Sequence, residues 1–213
     1  VFECGIFAEL SGNSYTQKHR QAVYKAATRL GVPEAQALAH DADKSTPAMK
    51  KAYYAYFFNL NKLREARLAK NAKDIKYYTE QKALWSPAYE VAHQWHVKNN
   101  PHHLEYYISR GISHIPEKYV LEILADWEGV KRTLNADNKN YDLNRDMYNF
   151  LYDNMLGFSI DEETNEFKLD NNGFPMRNML EHFDDQTKGY FLDNLKKFYP
   201  VSKFFELGVK QTA

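Results

Sequence analysis

Cysteine is nearly absent: Cys4 is the only one in 213 residues. A disulfide framework within the chain is therefore excluded, and a thiolate metal cluster nearly so, which fits a reducing cytosol. Net charge is missing as well. Lys plus Arg number 28, and so do Asp plus Glu. General nucleic-acid binding or a membrane surface would need a net basic field, which this balance argues against, although a local basic pocket stays compatible. No stretch approaches the ~20 apolar residues of a membrane span. Val1 to Ala8 is too short for a signal peptide and lacks its basic start. The first residue is not Met, which points to a trimmed or processed start with sequence upstream.

What is present is apolar and aromatic. Apolar residues make up 44%, with 16 Tyr and 13 Phe, spread along the chain and sufficient for a core of one ordinary domain with or without an appendage. Helix signals dominate. Ser14 or Thr16 caps a helix to Leu30 that stops at Gly31. Pro33 opens a second helix, ended by His40-Asp41. Thr46-Pro47 reads as N-cap and N1 of a long helix through Leu60, with Leu63 to Ala72 continuing it as a solvated arm. A short helix over 73–84 follows, and Ser86-Pro87 caps a separate one over 88–98. Pro116 opens a helix from Glu117 to Leu134. After Asn135 the chain turns polar, then becomes helical over 143–156. Phe158-Ser-Ile and Glu166-Phe-Lys-Leu read as a small β-hairpin, and 176–198 carries one or two helices. The expected architecture is mostly α, with a metal-binding catalytic domain over 1–135 and an extension over 136–213 packed on it as a cover or assembly element.

Seven of the eight histidines lie in the first two thirds. His19 sits one turn before Val23 on an apolar stripe. His40 and Asp41 place two metal-ligand side chains side by side, and Lys44 adds a point charge suited to phosphate. His93 and His96 share a helix face, His102 and His103 follow a helix end, and Asp126 sits among apolar neighbours. An unpaired Asp there is costly, so it needs either a metal or a partner such as an Arg or the Trp127 indole. Imidazole with carboxylate suits Zn, Fe, Mn, Co or Ni. Two ions can clamp a phosphoryl oxygen. Adjacent residues do not both face inward easily, so one of His102 and His103 is expected to meet substrate or water. Glu105 and Asp43 are candidate proton donors to a leaving oxygen. Arg20, Lys18 and Lys98 are candidates for holding an anionic substrate. His114 and His182 read as structural or exposed.

The ordered set His19, His40-Asp41, Asp126, each on a helix, resembles the H…HD…D signature of the HD-domain superfamily of metal-dependent phosphohydrolases. His40-Asp41-x-x-Lys44, His96-x-x-Asn99-x-x-His102-His103-x-Glu105-Tyr106 and Ala125-Asp126-Trp127 resemble more closely a small, functionally undefined HD-like family of phages and bacteria. The likeness covers about residues 15–135. One departure is Asp43, where that family usually has Ser before the Lys.

The resemblance implies a compact HD-type helical bundle in which His19, His40, Asp41 and Asp126 hold a first metal and His96 with His103 (or His102) a second. Lys44 would contact phosphate, with Asp41 central to catalysis. The implied cofactor is one or two divalent ions, Mn, Fe, Co, Zn or Mg. The implied activity is phosphate release from a small phosphorylated metabolite, with a (deoxy)nucleoside 5′-monophosphate as the specific expectation. The setting would be the cytoplasm, the host's if the chain is phage-encoded. No membrane or general nucleic-acid partner is expected, and self-association is left open. Two alternatives share the residues: a diiron HD-type oxygenase, and a non-catalytic nucleotide- or metal-binding protein.

Overall fold

The computed structural model of the chain describes residues 15–157 and 178–201, with Lys168 and Met176 between them. Among these residues it is a mostly α bundle of eight α-helices, without a strand. The β-hairpin expected over 158–169 lies, apart from Lys168, outside the described residues, as does Cys4. None of the described helices is long and apolar enough to cross a membrane.

Helix α1, Tyr15–Leu30, buries Val23, Ala26, Ala27 and Leu30, which recur three and four residues apart. It stops at Gly31, where φ is +86°. There Val32 N–H donates to Ala27 O at 2.9 Å and Gly31 N–H to Thr28 O at 3.2 Å. This bond pair closes a helix end when the residue after it is left-handed, which glycine allows without strain. Helix α2, Glu34–Ala39, follows Pro33. Asp41 then takes φ +57° before a 3-10 turn over Ala42–Ser45. Asp is one of the few side chains that tolerates this region.

Helices α3 (Pro47–Leu68) and α4 (Ala72–Asn99) are joined by a short turn and pack against each other, the arrangement of an antiparallel helical hairpin. Two expectations change here. Leu63 and Ala66 are buried, so the end of α3 is partly covered by α4 and is not wholly a solvated arm. The two helices expected over 73–84 and 88–98 are one helix that runs through Pro87. Proline removes one i→i−4 bond, at about 3 kcal/mol. Packing of both halves along α3 offsets that loss, with Tyr89 stacked on Tyr56 at 4.1 Å between ring centroids just beyond Pro87.

The short helix α5, Leu104–Ile108, leads to α6, Glu117–Leu134. Helices α7 (Leu143–Phe150) and α8 (Asp185–Phe198) complete the bundle. Met147, Leu151, Leu180, Phe191, Leu195 and Tyr199 share one core with Val23, Ile123 and Leu124. Residues on both sides of position 135 thus build the same apolar interior.

The pairing of α1 with α6 sets up the site, and it depends on Gly129. A Cβ there would meet Val23 Cγ2 at 2.3 Å and the Val23 backbone nitrogen at 3.1 Å. Gly129→Ala is therefore expected to destabilise the fold by roughly 1–3 kcal/mol, although Ala is the better helix former by about 1 kcal/mol. Urea unfolding measures this, and adding Val23→Ala should recover part of the loss. A more stable Gly129→Ala protein would show that the helices do not meet this closely.

Candidate metal centre

Helices α1 and α6 bring His19 and Asp126 together, with His19 Nε2 3.0 Å from Asp126 Oδ1. His40 Nε2 reaches the same oxygen at 3.4 Å. One ligand atom from each of these three residues lies within 4.8 Å of the others. Among the described residues Asp126 thus faces imidazoles, not an arginine or the Trp127 indole. His96, His102 and His103 form a second such group, with His103 Nε2 2.9 Å from His96 Nε2.

Asp41, only 1% exposed, stands between the two groups. Its Oδ2 is 3.6 Å from His19 Nε2 and 3.7 Å from His40 Nε2. Its Oδ1 is 3.1 Å from His96 Nε2 and 3.5 Å from His102 Nε2. The left-handed turn at the end of α2 is what lets consecutive side chains His40 and Asp41 both point inward. Lys44, one 3-10 turn later, places Nζ 2.8 Å from Asp41 Oδ2.

His102 and His103 both face the cluster, contrary to expectation. Successive side chains diverge by about 100° on a helix, but these two precede α5, in a turn that ends on His103 in extended conformation. His102 is buried against Asp41 and Glu122, which places it among the candidate ligands instead of among substrate contacts.

Asp43 also takes a different part. Its Oδ2 lies 2.7 Å from His96 Nδ1 and accepts from Asn100 Nδ2 at 3.0 Å. Burial pushes its carboxyl up, but His96 and Asn100 outweigh that and hold it below the usual range. An ionised Asp43 suits orienting His96 and not donating a proton. Burial pushes the carboxyl of Glu105, on the first turn of α5, up from its ordinary value.

Arg20 donates to Leu38 O at 3.2 Å, tying α1 to α2, and to Ser45 Oγ at 3.5 Å, beside Lys44. Lys98 is exposed, and its carbonyl accepts from Arg110. His93 lies 3.3 Å from the Tyr53 hydroxyl through Nδ1 and stacks on Tyr89. His114 pairs with Asp184, and His182 is exposed.

Glu122 was missed by sequence reasoning. It is buried, with Oε1 3.6 Å from His40 Nδ1 and 3.5 Å from His102 Nδ1, while Oε2 accepts from Gln36. One carboxylate thus faces the outer nitrogen of two imidazoles whose Nε2 atoms lie toward Asp41, the side from which metal-bound histidines are commonly oriented. The available signal was its position one turn before Asp126 on α6.

The donor set fits a metal. Nε2 of His40, Nε2 of His102 and Oδ1 of Asp41 are buried without a hydrogen bond. Such atoms are costly unless something satisfies them. Burial raises the carboxyls of Asp41 and Asp126, but the surrounding imidazoles hold both well below the usual range. Burial and the neighbouring His102 push His103 down to about 2. Carboxylate anions and a neutral imidazole are the forms that bind metal. Burial disfavours a charged His40 too, yet Asp41, Asp126 and Glu122 raise it to about 10, so a proton takes the cationic role there when no ion is bound.

No curated protein and no solved structure matches the chain. A family model matches over residues 8–171, which contain every residue of the cluster. The chain belongs to that family, the family of unknown function DUF5662.

Proposed function

We propose that this protein is a metal-dependent phosphohydrolase of HD type, releasing phosphate from a small phosphorylated metabolite, with a (deoxy)nucleoside 5′-monophosphate as the substrate to test first. The observation that carries the reading is Asp41, which turns one oxygen to each histidine group while Lys44 Nζ stands 2.8 Å away. A split carboxylate suits one ion or a pair, and the ammonium suits the phosphate such ions would bind. Four imidazoles around it favour Mn, Fe, Co or Zn over Mg.

Bound ions supply Lewis acidity and a water of near-neutral pKa. The chain's own groups do the rest. Lys44 balances charge on the equatorial phosphoryl oxygens. Glu122 and Asp43 hold His40, His102 and His96 in fixed orientations. As the bond from phosphorus to the ester oxygen breaks and the water oxygen bonds to phosphorus, Glu105 is the group assigned to give a proton to the departing oxygen.

The test is metal analysis coupled to phosphate release across a nucleotide panel, with Mn, Co, Fe and Mg each supplied. Metal-dependent release supports the proposal. Bound iron with oxygen uptake and no phosphate release would favour the diiron oxygenase instead. Bound metal with neither would favour a non-catalytic binding protein.

A further inference from the structure

We propose that the groove between α1 and α6 is a second binding site, separate from the histidine cluster, for a small polyanion carrying at least two phosphate or carboxylate groups. The groove holds about 540 Å³, within the ~300–1,000 Å³ typical of small-molecule sites. Lys18, Lys25, Arg29 and Arg132 line it, and Glu128 is its single acidic residue. On α1, positions 18, 25 and 29 share one face, while His19 and Val23 turn toward the bundle. The groove has no residue in common with the cluster.

Glu128 offsets one of these four positive charges and leaves the groove cationic. It is 1% exposed and accepts from Arg29, from Arg132 Nε at 2.6 Å and from the Tyr199 hydroxyl at 2.6 Å. The Arg29 guanidinium also donates to Phe198 O at 3.1 Å and lies 4.9 Å from the Tyr199 ring centroid. Both guanidinium groups are therefore held from behind by a buried carboxylate. Arg132, whose side chain is 53% exposed, makes no hydrogen bond through its terminal nitrogens among the described residues. Lys18 and Lys25 have no ion pair there either.

Two braced guanidiniums with free lysines beside them make a preorganised anion receptor. Holding the fork in place removes ordering cost from each charge-assisted bond. Cations lining one cleft also focus the field in a chain that has no net charge. That overall balance favours a small ligand over a nucleic-acid backbone, which needs an extended basic surface.

The test titrates sodium tripolyphosphate into the full chain, stripped of metal, by calorimetry at low ionic strength. Saturable one-to-one binding is expected. The exposed double variant Lys18→Glu, Lys25→Glu should weaken it by roughly tenfold or more, and Lys44→Ala should leave it unchanged. Three results would overturn the proposal: no saturable binding, loss in Lys44→Ala with the groove variant unaffected, or tighter binding of a single-stranded oligonucleotide with the same lysine dependence.

Discussion

Asp41→Ala is expected to leave the protein without stoichiometric metal and to lower phosphate release by about a thousandfold or more, since metal assistance is worth several kcal/mol. The reason lies in its two oxygens. Other candidate ligands serve one histidine group, but Asp41 faces His19 and His40 with one oxygen and His96 and His102 with the other. Its loss also removes the first-ranked attraction holding His40 protonated and the partner of Lys44. The variant is therefore expected to be less stable as well, by roughly 3–5 kcal/mol, as when one member of a buried charge group is deleted. Asp41→Asn separates the two effects. It keeps volume and hydrogen bonding, so it should fold more stably than Asp41→Ala while still failing to bind metal. Elemental analysis with phosphate-release assays measures the first effect, and urea unfolding of metal-free protein measures the second. A folded Asp41→Asn protein with a full complement of metal would remove the centre of the functional reading.

Glu128→Ala is expected to cost about 3–5 kcal/mol of folding free energy, because it strands partners that have no other acid among the described residues. Arg29, Arg132 and the fully buried Tyr199 all donate to this carboxylate. Through it α1, α6 and the segment after α8 are joined, so its removal loosens three parts of the core at once. The pH dependence follows the same group. Burial pushes the Glu128 carboxyl up, but Tyr199, Arg132 and Arg29 outweigh this and hold it below the ordinary value of 4.5. A lowered native pKa means that the stabilisation is fully present above the unfolded value. It is lost as pH falls through the lower native one. Wild-type stability should therefore decline on acidification below about pH 4.5, and Glu128→Gln should flatten that decline while starting from a lower stability. Denaturant midpoints across pH 3–7 test this. The exposed Glu90→Ala serves as a reference and should shift stability by no more than about 0.5 kcal/mol. If Glu128→Ala and Glu90→Ala unfolded alike, the buried network would carry no net stability.

Much of the fold was legible residue by residue. Gly31, Pro33, Thr46-Pro47 and Pro116 mark helix boundaries that local chemistry decides, since each either frees a left-handed φ or removes an N–H that a helix start does not need. Pro87 carried the same mark and was misleading. Whether an interior proline breaks a helix depends on the surface beside it, and α3 is a neighbour that no local pattern announces. The site divides in the same way. Residue type marked the histidines and acids as candidates, the resemblance singled out His19, His40, Asp41, His96, His103 (or His102) and Asp126 among them, and the structure gathers these in one cluster. Glu122 and the part taken by His102 could not be picked out, because orientation across a cluster depends on which way a turn throws its side chains. Arg20 and Lys98 were anion contacts by charge alone, and the structure places the first against Leu38 and Ser45 and leaves the second exposed.

By itself, then, the sequence determined a mostly α chain without disulfides or net charge, with histidines and acids placed at helix ends and inward faces. These follow from composition and from periodicity over a few residues, where φ, ψ and side-chain direction are local quantities. Only the tertiary structure decided that Asp41 divides its oxygens between two histidine groups, that Glu122 and Asp43 stand behind the imidazoles, and that a carboxylate braces two arginines along α1 and α6. Each of these joins residues far apart in the chain. Their distances are set by how closely helices pack, as Gly129 against Val23 shows, and no local spacing encodes that.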